Sequence, residues 1–182
     1  MKTISEHILD MVQNSVRANA TLIEIIVEED KKNDIYTLII RDNGCGMDKQ
    51  ALEQATGPFF TSRNTRKVGL GLALLKQNAE QSSGALEVKS ETGKGTEIKA
   101  AFQLSNIDRP PLGDVWNSYY LTLLCNEKTR LNYSHKTDKG DFEIFSEEIK
   151  ETLAGMPLNN KEIKNGIIEL IKNNLTDIKA TF

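Results

Sequence analysis

No stretch of this 182-residue chain is apolar for long enough to cross a bilayer, and its opening residues, Met1 to His7, contain no apolar leader core. A cytoplasmic location is expected, and a membrane is not expected as a partner. A surplus of positive charge is also missing: 23 lysines and arginines stand against 26 aspartates and glutamates, giving a net charge of −3 and a pI of about 5.5. Nucleic acid is therefore not an expected partner, because holding a phosphate backbone takes a concentrated basic surface. Cysteine is scarce, and Cys45 and Cys125 have no metal-ligand spacing, so both read as reduced bystanders in a reducing compartment. What remains is a chain long enough to bury an ordinary core, either as one domain or as one domain with an appended piece.

Residues 4–18 have helical periodicity, with Ile4, Ile8, Leu9, Met11, Val12 and Val16 forming an apolar stripe and Ser5 as the expected N-cap. Asp10, Asn14 and Arg17 share one face of this helix, the first two separated by about 6 Å along its axis. A carboxylate, an amide oxygen and a guanidinium so placed suit a water, a divalent metal and a phosphate. A solvated polar face on an amphipathic helix accounts for the same trio.

Two strands, 22–29 and 35–41, follow around the polar turn 30–34, and the second delivers Asp42-Asn43-Gly44-Cys45-Gly46-Met47. The two glycines let the backbone turn sharply and approach a flat ligand beside the Asp42 carboxylate, although an ordinary Asx turn uses the same residue types. A short helix, 49–55, leads to the aperiodic segment 56–67. Its basic residues suggest a lid over an anion, and a plain surface connection is the alternative. Val68-Gly69-Leu70-Gly71-Leu72 then opens a helix that runs to about Ser82. Glycines there expose amide N–H groups suited to phosphate, although close helix–sheet packing calls for the same residues. Strands 85–90 and 96–102 close the unit around Glu91-Thr92-Gly93-Lys94-Gly95, giving an α/β (α+β) sandwich with a mixed, mostly antiparallel sheet covered by helices on one face.

Taken in order, these segments resemble the nucleotide-binding domain of the GHKL ATPases, the superfamily of gyrase, chaperone and mismatch-repair ATPases and histidine kinases. Asp10 to Thr21 is similar to its N-box, Asp42 to Met47 to its first glycine box, Pro58 to Arg63 to a phenylalanine box, Val68 to Leu72 to its second glycine box, and Gly93 to Thr96 to its last motif. The resemblance covers roughly residues 4–103 and implies a Bergerat-type fold binding ATP with Mg²⁺. By position it implies that Asn14 holds Mg²⁺, Asp42 accepts from the adenine amino group, Gly46 lines the base pocket with Gly44 and Met47 beside it, and Thr96 supports Asp42. Arg17, Thr61, Gly69, Leu70, Gly71 and Leu72 would surround the phosphates. Asp10 stands where hydrolysing members carry a glutamate that activates water, and is the expected base for water or for an acceptor hydroxyl. His7 is expected to be a core or solvated histidine, not a phosphoacceptor.

The expected division is a nucleotide domain at 1–105 and a C-terminal α+β appendage at 106–182. In the appendage Trp116, Tyr119, Tyr120, Leu123 and Leu124 form an aromatic-rich helical stripe expected to pack on the free sheet face. A second hairpin around Asp138-Lys139-Gly140 and two helices finish the chain. The last of these is expected to start with a capping box of Asn159 and Glu162 and to face a partner or a second subunit. Two functions follow. One is a stand-alone histidine-kinase-like ATPase domain that transfers phosphate to a protein partner or hydrolyses ATP to drive a conformational cycle; the other is a nucleotide-sensing interaction module with little or no turnover. The oligomeric state stays open, a homodimer among the options.

Overall fold

Strand-forming sequence in this chain comes in pairs joined by short polar turns. The computed structural model, which describes residues 1–56, 71–126 and 128–182, folds each pair as an antiparallel hairpin. The pairs are β1 (Leu22–Asp30) with β2 (Ile35–Asp42), β3 (Ala85–Glu91) with β4 (Gly95–Gln103), and β5 (Arg130–Thr137) with β6 (Gly140–Phe145). They merge into a six-stranded sheet of order β3-β4-β2-β1-β5-β6, antiparallel throughout except where β1 meets β5, with Leu22 opposite Arg130. The mixed, mostly antiparallel sheet expected from the sequence is present.

Alternation along the strands turns Ile23, Ile25, Val27, Leu38, Ile40, Ala100, Phe102, Leu131 and Tyr133 into one core. The helix α1 (Ile4–Arg17) lies on it with Ile4, Ile8, Met11 and Val12 almost completely buried, flanked by α3 (Gly71–Gln81) and α4 (Val115–Cys125). The short α2 (Lys49–Thr56) packs on α3 and β3. Thr3, not Ser5, caps α1, its Oγ1 accepting from Glu6 N at 3.2 Å. Ser5 lies inside the helix because the strap before α4 reaches α1 first: Ile4 N and Ser5 N donate to Pro111 O and Leu112 O, each at 2.9 Å.

The aromatic stripe of α4 completes the core on the helix-covered side, beside α1 and over β5, not on the free sheet face. Tyr119 meets the Tyr133 ring edge-on at 6.5 Å and donates to Leu131 O at 3.2 Å, which satisfies its hydroxyl in a buried position. After α5 (Ser146–Leu153), the final α6 (Lys161–Asp177) is capped by Asn160, one residue later than the expected Asn159. It does not simply face outward, since Ile167, Ile171 and Leu175 are buried and α6 packs on α4. Beyond it, Thr181 reaches the buried Glu29, which also pairs with the buried His135 at 2.8 Å.

Candidate functional site

Asp42 is the last residue of β2, on the inward face opposite Ile23 of β1 and Thr96 of β4. Thr96 in turn stands opposite Ser90 of β3, so Asp42, Thr96 and Ser90 form a row across three strand ends. Both carboxylate oxygens of Asp42 are engaged, Oδ1 by Gly44 N at 2.9 Å and Oδ2 by Ser15 Oγ at 2.7 Å. A carboxylate offers about four lone-pair sites, so it keeps capacity for one more donor. Thr96 does not bond Asp42; its Oγ1 lies 2.9 Å from Ser90 Oγ, which donates to Gly95 O and accepts from Met47 N at 2.8 Å. With the single Ser90 hydrogen on Gly95, the Thr96 hydroxyl donates to Ser90 and keeps its lone pairs free.

The turn after Asp42 is set by close backbone approach. Gly46 has φ +64°, and a Cβ there would lie 2.1 Å from Glu91 O, so only glycine lets this turn lie against the end of β3. Gly44 is pressed instead against the end of α1, where a Cβ would lie 2.8 Å from Ala18 O, while its N–H donates to Asp42. Asn43 fastens the same corner, its Oδ1 accepting from Thr21 N and Leu22 N at 2.8 and 2.9 Å.

The second group of residues comes from α1 and the head of α3. Asp10 Oδ2 is buried and has no hydrogen-bond partner among the described residues, and it faces Gly71, where a Cβ would lie 1.8 Å from it. One turn on, Asn14 Oδ1 accepts from Arg17 Nη1 at 3.3 Å, a contact on the exposed side that leaves the guanidinium able to swing. Leu72 is buried in the core, so it can offer a ligand only its backbone. Thr61, Gly69 and Leu70, together with the lid segment 57–67, the whole phenylalanine box and residues 68–70 of the second glycine box, lie outside the described residues. The donor set suits a hard cation: Asn14 offers a carboxamide oxygen one helical turn from the Asp10 carboxylate, whose Oδ2 has no partner among the described residues, and Mg²⁺ takes oxygen ligands while drawing the rest from phosphate and water. Among the described residues no group of three His, Cys, Asp or Glu side chains could hold a metal by itself.

Two residues of this site were not singled out from the sequence. Ser15 continues the buried stripe Ile8, Met11, Val12, and Ser90 continues the inward row Leu86, Val88. A lone hydroxyl in an apolar periodicity is the signal that finds both. His7, by contrast, is fully buried, its Nε2 2.8 Å from Asn78 Nδ2, and burial together with the nearby N-terminal ammonium lowers its pKa to about 4. It is a neutral core histidine. No helix among the described residues is long and apolar enough to cross a membrane.

A family model described as "Histidine kinase-, DNA gyrase B-, and HSP90-like ATPase" matches residues 2–106. A Shewanella frigidimarina protein named as a sensor is 38% identical over 103 residues, which cover 56% of this chain and 16% of that protein. Sensor histidine kinase YvrG of Bacillus subtilis is 31% identical over 100 residues, covering 52% of this chain and 17% of the relative. The match is thus about a sixth of the length of either relative. Among solved structures, the N-terminal domain of a DNA repair protein superposes with a TM-score of 0.53 at 17% identity, over 80% of this chain and 52% of its own, a likeness of fold.

Proposed function

The chain belongs to the histidine kinase-, DNA gyrase B-, and HSP90-like ATPase family, and from that premise we propose that it binds Mg·ATP between α1, the Asp42 turn and the head of α3, with Asp10 as the base that activates a water or an acceptor hydroxyl. Its histidine-kinase-like domain is an ATP-binding one. The adenine amino group donates to Asp42, whose carboxylate Ser15 and Gly44 hold in place, with Thr96 opposite it on β4. Guanine would present a carbonyl where Asp42 needs a donor, so the site selects adenine.

At the other end, Arg17 leaves Asn14 to meet a phosphate oxygen. Asn14 Oδ1 would hold Mg²⁺, which when bound neutralises charge on the phosphoryl oxygens. The observation that carries the chemical reading is Asp10: a buried carboxylate oxygen without a partner among the described residues is costly unless a ligand or reacting group uses it. A base so placed takes the proton of the attacking oxygen. The reaction runs in the cytoplasm, on water or on a protein partner, and needs no nucleic acid.

Incubation of the full chain with γ-labelled ATP and Mg²⁺ tests this. Free phosphate, or label on an added protein, is expected from the wild type and not from Asp10→Asn. Tight nucleotide binding with neither product would replace it with a nucleotide-sensing module whose bound state a partner reads.

A further inference from the structure

An apolar cleft lies away from the nucleotide site, at the β6 edge of the sheet. It encloses about 510 Å³ between α5 and α6, with walls that include Ile149, Leu153, Ile163, Ile167 and Leu170. Phe142, Glu143, Ile144 and Phe145 all line it. Consecutive strand residues point to opposite faces, so this unbroken run puts the backbone of β6 in the wall of the cleft together with residues of both faces. β6 is the last strand of the sheet and pairs only with β5.

Two further observations say what enters. Every charged side chain lining the cleft is a carboxylate, Glu143 or Glu148, while Lys164 and Lys172 of α6 turn the other way, onto the rings of Tyr120 and Trp116 at 5.5 and 4.7 Å. Gly166, in the middle of α6, also lines the cleft, and a Cβ there would meet nothing within 4 Å. Glycine inside a helix costs about 1 kcal/mol relative to alanine, and nothing in the fold requires one here. An occupant whose backbone passes close to α6 would.

We propose that this cleft takes an extended peptide of a protein partner as a seventh strand: its backbone pairs with the free edge of β6, its aliphatic side chains enter between α5 and α6, and its lysines or arginines face Glu143 and Glu148. A second copy of this chain is the poorer occupant, because edge-to-edge pairing of two β6 strands brings Glu143 of one against the carboxylates of the other. The site is independent of the nucleotide reading, since β1 and β5 lie between β6 and the strand that carries Asp42.

The test is selection from a displayed library of eight-residue peptides with aliphatic residues at alternate positions and varied residues between, using the full chain as bait. The wild type should enrich lysine and arginine at the varied positions, and Glu143→Lys/Glu148→Lys should enrich aspartate and glutamate instead. Gly166→Leu should weaken the selected peptide by about tenfold or more without lowering the melting temperature. The bound peptide should slow amide exchange in residues 141–145, and a proline at its centre should abolish this. No enrichment, unchanged charge preference in the double variant, full binding to Gly166→Leu, or a wild-type dimer that Gly166→Leu dissociates would each overturn the proposal.

Discussion

Ser15 Oγ stands 2.7 Å from Asp42 Oδ2, so the helix that carries Asp10 and Asn14 is tied to the strand end that carries the Asp42 carboxylate. The bond aligns the two halves of the site. Ser15→Ala should weaken ATP binding by about 0.5–1.5 kcal/mol, the net worth of one such bond, with little effect on the fold. Calorimetric titration with Mg·ATP reads it; unchanged affinity would mean that Gly44 N alone orients Asp42.

Gly71 and Asp10 make a second pair that can be separated. A methyl at residue 71 would displace the Asp10 carboxylate, the movable end of a side chain, so Gly71→Ala should fold and still bind nucleotide. Its turnover should fall by roughly 10²–10⁴-fold, as for loss of a general base, and Asp10→Asn in the same background should cost little more. Asn14→Ala should remove the Mg²⁺ dependence of ATP binding while leaving Mg²⁺-free binding in place. Additive losses in the Gly71→Ala/Asp10→Asn double variant would show that the two residues act separately.

Acid should destabilise the protein in two stages. His7 is held neutral with a pKa of about 4, below its ordinary 6.5, so between those values the unfolded chain binds more protons and stability falls as pH falls. The loss amounts to about 3 kcal/mol, or roughly 6–12 °C in melting temperature. Burial of Glu29 opposes its ionisation, but the hydrogen bonds from His135 and Thr181 outweigh this and lower its pKa, so its contribution is lost at still lower pH. Melting curves from pH 7 to pH 4 should show the first stage in the wild type and not in His7→Gln. A wild-type melting temperature flat over that range would contradict it.

Most elements were legible because their apolar periods are strong: the alternation of 22–29 and 35–41 and the stripe Ile4, Ile8, Met11, Val12 each specify one period. The errors have local causes. Thr3 and Asn160 sit near the equally capable cap residues Ser5 and Asn159, and at α1 the strap before α4 decides between them. The parallel pairing of Leu22 with Arg130 has no local signal, so the place of β5 and β6, and with it the face that α4 covers, could not be read. At the site, Asp42 and Gly46 announce themselves by turn chemistry, whereas Ser15 and Ser90 do so only as hydroxyls out of place in apolar rows, buried on α1 and half-buried on β3.

The division at residue 105 is itself testable. A cut after Asn106 strips α4, β5 and β6 from one continuous sheet and bares the outer edge of β1, so the fragment should be insoluble or unable to bind ATP. A cut after Met156 removes Ile171 and Leu175 from the core and Thr181 from Glu29, so that fragment should melt well below the full chain. Should residues 1–106 remain soluble and bind ATP as tightly as the full chain, the two parts would be independent domains.

Nucleotide selectivity at Asp42 bears most directly on the whole account. Titration of the full chain with Mg·ATP and Mg·GTP should give saturable ATP binding and GTP binding at least tenfold weaker, about 1.4 kcal/mol. Asp42→Asn should cost ATP about 1.5–3 kcal/mol, the range for a hydrogen bond to a charged group, and should narrow the gap between the two nucleotides. Equal affinity for ATP and GTP in the wild type, or no loss of ATP binding in Asp42→Asn, would contradict the account.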